Sequence, residues 1–390
     1  MAAFRRHLDE GRESRAHEMA TGLVAELVAL VADRPDTVVE DELCRRLGPL
    51  LYEARQGHPD QRVQPSRLAP ALVEAAAIAV EEGTGNADAW RVFTAVAGVL
   101  PFPGSEAAYD AMTQLRAAMG KPVSQPADPE VVGEVLWTRD AYGGRFGVAA
   151  PIAAADLPVR WYLWDIDVCG LQAFTVYSGF YATPEAALAA WQDGIGEIAA
   201  EGTEFAPVDA PSLLPELLPV EMGILYVGGE STEQLAEYYR GKRLAEIVKM
   251  AVRQRGTLAS PGLDVATATT EFTAWLSARR NTAGQELPAD VAELVPELAD
   301  SWCINNIQAV FAVCSPHRVA WCVQHIRNYY EDEFAERLIA LLPEWIRWLA
   351  ARNETPPELA DRCLPYAQGA AYEQFGDGPN GPDCFARVIE

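Results

Sequence analysis

The chain has 390 residues, of which 49% are hydrophobic, and a formal net charge of −25 at pH 7. This length is typical of two or three domains, and the apolar fraction is that of a globular protein with a large core. The negative charge repels phosphates and anionic lipids, which argues against direct binding to DNA, RNA or a membrane surface.

Apolar residues at helical spacing predict five helices in residues 1–120. These helices are predicted at residues 19–31, 39–55, 65–82, 87–100 and 105–119. Five helices joined by short loops predict a compact bundle. Residues 121–130 follow it and contain three prolines, which indicates a linker between domains.

Residues 131–230 have a β-prone pattern that predicts a small antiparallel sheet. Strands are predicted at residues 131–137, 145–152, 159–168, 174–181 and 224–227. Thr183 and Pro184 have the residue types that begin a helix, which is predicted to end near Gly194. The segment contains fourteen acidic residues and three basic ones, so an acidic α+β domain is expected.

Residues 231–368 are predicted to be entirely helical. The sequence Ser231-Thr232-Glu233-Gln234 matches a capping box, which begins a helix that runs to about Arg255. Further helices are predicted at residues 265–280, 289–298, 306–313, 316–330, 331–342, 343–351 and 357–364. Residues 369–390 are rich in glycine and proline and are predicted to form a loose tail.

The predicted fold class is therefore α+β and predominantly α. It consists of an N-terminal helical bundle, a small antiparallel-sheet α+β domain in the middle, and a C-terminal helical domain.

Lysine occurs only three times, and frequent alanine, glycine, proline and arginine indicate a bacterial gene of high GC content. The polar N-terminus lacks an apolar stretch of signal-peptide length, and no apolar run is long enough for a membrane span. A cytoplasmic protein with mostly reduced cysteines is expected.

The residue types and spacing of a zinc site occur between Cys314 and His325, in a Cys-x2-His-x4-Cys-x2-His motif. On one continuous helix its two histidines lie ~12 Å apart along the axis, so all four residues cannot share one ion. Cys322 and His325 form a smaller candidate pair, which Cys303 or Cys363 could complete. The alternatives are buried core cysteines, or a Cys322 nucleophile with His325 as its base.

A second candidate site is the pair Asp165 and Asp167, whose side chains share one face of the strongest predicted strand. Paired carboxylates of this kind can hold Mg²⁺ in phosphoryl-transfer enzymes. The opposite face is apolar, with Tyr162, Trp164, Ile166 and Val168. The alternative is a half-buried strand whose acidic face is exposed to water.

Trp345 and Trp348 lie on an apolar stripe that is mainly core, although tryptophan is also favoured at partner-binding sites.

Standard catalytic motifs are not recognised, so the leading hypothesis is a cytosolic, non-catalytic interaction or regulatory protein that docks a basic protein partner. No cofactor is expected under this hypothesis. The alternative is a metal-dependent enzyme or zinc-stabilised domain that uses the Cys/His cluster or the Asp165/Asp167 pair. Mimicry of nucleic acid by the acidic segment is a third hypothesis.

Overall fold

The computed structural model describes residues 2–32, 34, 36–55, 58, 61–83, 87–120, 129–154, 158–170, 173–218, 231–253, 263–304 and 307–369. It confirms the predicted fold class, with helices at both ends of the chain and a small antiparallel sheet between them. Among the helices of the described ranges, none combines the length and the apolar character that a membrane crossing requires.

The first part of the chain forms five helices around a shared apolar core. They are α1 (Ala2–Leu30), α2 (Asp36–Arg55), α3 (Pro65–Glu82), α4 (Ala87–Val99) and α5 (Gly104–Ala118). All five were predicted, but α1 begins earlier than expected. Its first turns are polar, so they carry no apolar periodicity. Arg67 of α3 forms ion pairs with Asp9 and Glu13, which hold the polar N-terminal half of α1 against α3.

The middle of the chain forms one six-stranded antiparallel sheet. Its strands are β1 (Glu130–Val131), β2 (Leu136–Arg139), β3 (Arg145–Ala153), β4 (Arg160–Asp167), β5 (Phe174–Tyr181) and β6 (Ala206–Pro207). The order is β5-β4-β3-β2-β6, and β1 pairs with the far end of β3. The described residues of this part also form three helices, namely α6 (Pro184–Ile195), α7 (Glu197–Ala200) and α8 (Leu214–Leu217).

Two helices, α9 (Thr232–Ala236) and α10 (Tyr238–Arg253), follow the sheet. The capping box is confirmed, since the Ser231 hydroxyl accepts from Gln234 N and the Gln234 side chain accepts from Ser231 N. The prediction of one continuous helix is wrong, because the chain breaks at Glu237. The Glu237 carboxylate there accepts hydrogen bonds from Tyr162 of the sheet and Arg240 of α10.

The last part forms a second helical core. Its helices are α11 (Val265–Thr282), α12 (Val291–Trp302), α13 (Pro316–Tyr329), α14 (Asp332–Ile339), α15 (Leu342–Arg352) and α16 (Pro357–Ala367). The helix predicted at residues 306–313 is wrong, since the described part of that segment has only a 3-10 turn at Gln308–Val310. Ile307 and Val310 insert into the apolar core of the sheet, which favours a tight turn over a helix.

The sheet is covered on both faces. The apolar face of β4 is confirmed, because its predicted residues are fully buried against α8 and α10: Tyr162, Trp164, Ile166 and Val168. The other face lies against α6, where Leu163 contacts Ala187 and Trp191. The predicted strand at 224–227 and nearly all of the predicted linker and tail lie outside the described residues.

Candidate functional site

Asp165 is buried, and its carboxylate is occupied by side chains of the protein itself. Arg145 donates to both oxygens, from Nε at 2.6 Å and from Nη2 at 2.7 Å. The indole Nε1 of Trp191 donates to Oδ1 at 3.1 Å. The expected water-exposed acidic face is therefore wrong, because α6 and the start of α13 cover it. Since both oxygens of Asp165 are engaged, the Asp165/Asp167 pair does not present the open oxygen set that Mg²⁺ prefers.

Asp167 instead meets Cys169 and His317. Its Oδ2 lies 3.2 Å from His317 Nδ1, and its Oδ1 accepts from the Cys169 backbone N at 2.7 Å. One donor atom from each residue, a carboxylate oxygen, a thiol sulfur and a ring nitrogen, lies within 4.8 Å of the other two. Across the part of the chain that the structure describes, this group is the one whose His, Cys, Asp or Glu donors converge so closely.

The end of β4 and the start of α13 position the three donor atoms. Asp167 is the last residue of β4, and Cys169 follows in the turn. Ser315 is the N-cap of α13, and its hydroxyl accepts from Arg318 N at 3.1 Å. This cap places His317 in the first helical turn. The same hydroxyl lies 3.2 Å from Cys169 Sγ, so the cap of α13 is also a contact of the thiol.

Arg318 holds the backbone of this turn from the other side. Its guanidinium donates to the carbonyls of Val168 at 3.4 Å, Cys169 at 3.5 Å and Trp302 at 2.7 Å. Arg318 is fully buried, and its Cζ lies 5.1 Å from the centre of the Trp302 ring. No carboxylate of the described residues forms an ion pair with it, so backbone carbonyls and a ring compensate its charge.

Burial and charge act in opposite directions on the site. Burial alone would raise the pKa of Asp167, but the charge and hydrogen bond of His317, with the charge of Arg145, hold that pKa below its usual value. Burial, and secondly the charge of Asp167, raises the pKa of the Cys169 thiol well above its usual value. A buried thiol whose pKa is raised is a poor nucleophile, which argues against thiol catalysis by Cys169.

The zinc set predicted from the sequence is not brought together. Cys322, His325, Cys303 and Cys363 do not bring three donor atoms within 4.8 Å of one another. The His325 ring stacks between Trp321 at 5.3 Å and Tyr329 at 5.6 Å instead.

Burial raises the pKa values of the Cys303 and Cys322 thiols to about 12, as expected of core cysteines. Cys363 is likewise fully buried, and a hydrogen bond with Cys314, followed by burial, raises the pKa of its thiol well above the usual value.

Trp345 and Trp348 lie inside the C-terminal core. Trp345 is fully buried and Trp348 is 3% exposed, and both rings contact Phe272. This agrees with the interpretation of the stripe as mainly core, and the alternative, a partner-binding groove lined by Trp345 and Trp348, is wrong. The residues belong to the packing of α11 against α15.

The middle segment also carries five exposed carboxylates, which we call the acidic face: Glu185 and Asp193 of α6, Glu197 of α7, and the following Glu201 and Glu204. No lysine, arginine or histidine occurs from residue 161 to residue 239. Within the described residues, none of the five carboxylates forms an ion pair. The sequence predicted the acidity of this segment, but not which carboxylates stay in water.

Sequence reasoning missed Cys169 as a partner of Asp167 and His317. An Asp-x-Cys pattern at the end of a strand was present, and His317 was already part of the Cys/His motif. No local pattern joins them, since Asp167 and His317 are 150 positions apart.

Comparison with family models, with curated proteins and with solved structures finds no match to this chain.

Proposed function

We propose that this chain is a non-catalytic cytoplasmic interaction protein that docks a basic segment of a partner protein on its acidic face. The observation that supports the proposal is the set of five exposed carboxylates without an ion pair in the described residues. Six of the cysteines are free and buried, which agrees with a reducing compartment.

Charge complementarity favours a basic partner. The surrounding stretch of 161–239 supplies no cation of its own, which supports a negative potential above the face. Ile198 lies between Glu197 and Glu201 and is 39% exposed. An exposed apolar residue among charges favours a protein segment that carries both cationic and apolar side chains, because interfaces combine an apolar centre with a polar rim.

The test measures binding of a fluorescent peptide of alternating arginine and leucine by anisotropy, at low and at high salt. In the test variant the acidic face is neutralised by five substitutions: Glu185→Gln, Asp193→Asn, Glu197→Gln, Glu201→Gln and Glu204→Gln. The control variant has the same charge change at exposed residues elsewhere: Glu81→Gln, Glu82→Gln, Glu106→Gln, Asp110→Asn and Glu358→Gln.

We expect the test variant to bind the peptide at least about fivefold more weakly than the control, since each of five exposed ion pairs contributes ~0.2–1 kcal/mol. Binding to the wild-type protein should weaken as salt rises. Equal affinities for the two variants would refute the acidic face as the docking surface, as would a wild-type protein that fails to bind at low salt.

A further inference from the structure

The end of β4 and the start of α13 bring together one carboxylate, one thiol and one imidazole in a buried position. We propose that Asp167, Cys169 and His317 bind one Zn²⁺, which ties the sheet to the C-terminal helices. The proposal is independent of the acidic face, because none of the three ligands belongs to that face.

The separations of the donor atoms fit a zinc site. Two donors with bonds of ~2.0–2.3 Å at tetrahedral angles lie about 3.3–3.8 Å apart. The Asp167 Oδ2 to His317 Nδ1 distance is 3.2 Å, close to this value before any adjustment. All three donor atoms lie within 4.8 Å of one another. A shift of at most about 1 Å at the Cys169 side chain would therefore bring its sulfur to the separation that a shared zinc ion requires.

The chemistry of the donors selects the metal. Mg²⁺ and Ca²⁺ prefer oxygen ligands alone, whereas zinc accepts sulfur, nitrogen and oxygen in one site. A soft thiolate beside an imidazole and a carboxylate is therefore a zinc set. The thiol proton of Cys169 passes to solvent as the zinc–sulfur bond forms, because the thiolate is the ligand.

Charge balance supports the same ion. A thiolate at Cys169 and a carboxylate at Asp167 supply two negative charges, which neutralise Zn²⁺. The neighbouring cation Arg145 is already matched by Asp165 through two hydrogen bonds. The Arg145 Nη1 atom lies farther from Asp167 Oδ2, at 3.8 Å, so this contact is the weaker one.

The surroundings hold the ligands in place, as outer contacts of metal sites do. The Arg318 guanidinium fixes the carbonyl of Cys169, and Asp167 accepts from the Cys169 N. Gly144 leaves room for the sulfur, since a Cβ at that position would lie 2.9 Å from Cys169 Sγ. Three protein ligands leave one position for water, and the His317 side chain, 13% exposed, reaches the solvent.

The experiment measures zinc in the full-length chain, purified without a histidine tag or chelator. The test variants are Cys169→Ser and His317→Gln. The matched controls are Cys322→Ser and His325→Gln, which change the same residue types in the set that the sequence had favoured. Circular dichroism of every variant shows whether it is folded.

We expect about one zinc per chain in the wild-type protein and in both controls, and less than about a tenth of that in the two test variants, because each loses a direct ligand. Zinc that stays in folded His317→Gln or Cys169→Ser protein would overturn the proposal. So would a wild-type protein that takes up no zinc after incubation with excess zinc and dialysis.

A second measurement needs no variant and keeps the proposal testable if both test variants fail to fold. Co²⁺ bound to a thiolate gives an intense charge-transfer band in the near ultraviolet, which cobalt bound to oxygen ligands lacks. We expect this band at one equivalent of Co²⁺ in the wild-type chain, and its loss on adding zinc. A cobalt spectrum without the thiolate band would refute Cys169 as a ligand.

Discussion

At the scale of single residues, the carboxylates at this end of the sheet differ in the groups that compensate their charge. Asp165 is matched by Arg145, and Asp167 contacts His317. Asp140, in the turn between β2 and β3, accepts from the Arg145 backbone N at 2.9 Å but has no ion pair in the described residues. Burial raises the pKa of Asp140 to about 7, and the nearby negative charge of Asp167 adds to the effect.

We predict that Asp140→Asn stabilises the protein above pH 7. The pKa of Asp140 is higher in the folded state than in the unfolded state, so the folded state binds more protons between about pH 4 and pH 7. The free energy of unfolding therefore falls as pH rises through this window. At pH 8 the free energy of unfolding of the variant should exceed that of the wild-type protein by on the order of 2 kcal/mol. This is less than the whole pKa shift of Asp140 would give, because water screens a partly exposed side chain.

Urea unfolding at pH 5 and pH 8 measures this effect, with the exposed Asp193→Asn as the control for the general loss of negative charge. The Asn side chain keeps the oxygen that accepts from Arg145 N, so the turn is retained. A pH dependence that is unchanged in Asp140→Asn would contradict the prediction.

At the scale of elements, the close approach of α2 and α9 depends on one glycine. A Cβ at Gly48 would overlap the Thr232 carbonyl oxygen and lie 3.1 Å from Ala236 N, both backbone atoms. No flexible side chain can move to relieve such contacts. Gly48 therefore permits the two helices to touch through their backbones, although glycine lowers the intrinsic stability of a helix interior.

We predict opposite effects for two Gly→Ala substitutions in helices. Gly48→Ala should reduce the free energy of unfolding by at least about 2 kcal/mol, because overpacking forces α9 away from α2. Gly22→Ala in α1, where a Cβ would meet nothing within 4 Å, should raise it by up to about 1 kcal/mol. Thermal and urea unfolding measure both. Stabilisation by Gly48→Ala would mean that α9 does not pack on α2.

At the scale of the whole molecule, an ion network joins the N-terminal bundle to the sheet. Arg240 of α10 forms ion pairs with Asp41 of α2 and with Glu237, and its Cζ lies 5.1 Å from the centre of the Phe180 ring in β5. Arg160 of β4 also pairs with Asp41, at 3.3 Å. Because Arg240 is 5% exposed, its charge interacts with these partners where water screens little.

We predict that Arg240→Met destabilises the protein by about 3–5 kcal/mol, since it leaves the largely buried Glu237 carboxylate without its cation. The control is Arg279→Met, which breaks an ion pair with Glu344 at a position that is 52% exposed and should cost less than about 1 kcal/mol. Urea unfolding followed by tryptophan fluorescence compares the two. Similar losses would contradict a joining role for Arg240.

The sequence by itself determined most of the secondary structure. Alternation along β4 separated the apolar set around Trp164 from Asp165 and Asp167, and the capping box at Ser231 located the start of α9. These features follow from periodicity and from contacts between residues a few positions apart. Where distant contacts outweigh local preference, at the break at Glu237 and the 3-10 turn after Ile307, the predictions from sequence were wrong.

Only the tertiary structure decided which buried groups meet. The motif around Cys322 pointed to a metal site within the C-terminal helices, yet His325 stacks between aromatic rings, and the donors that converge are Asp167, Cys169 and His317. Helical and strand patterns specify which way a side chain faces, but not what covers it. That depends on how elements about 150 positions apart in the chain pack together, and no local pattern encodes it.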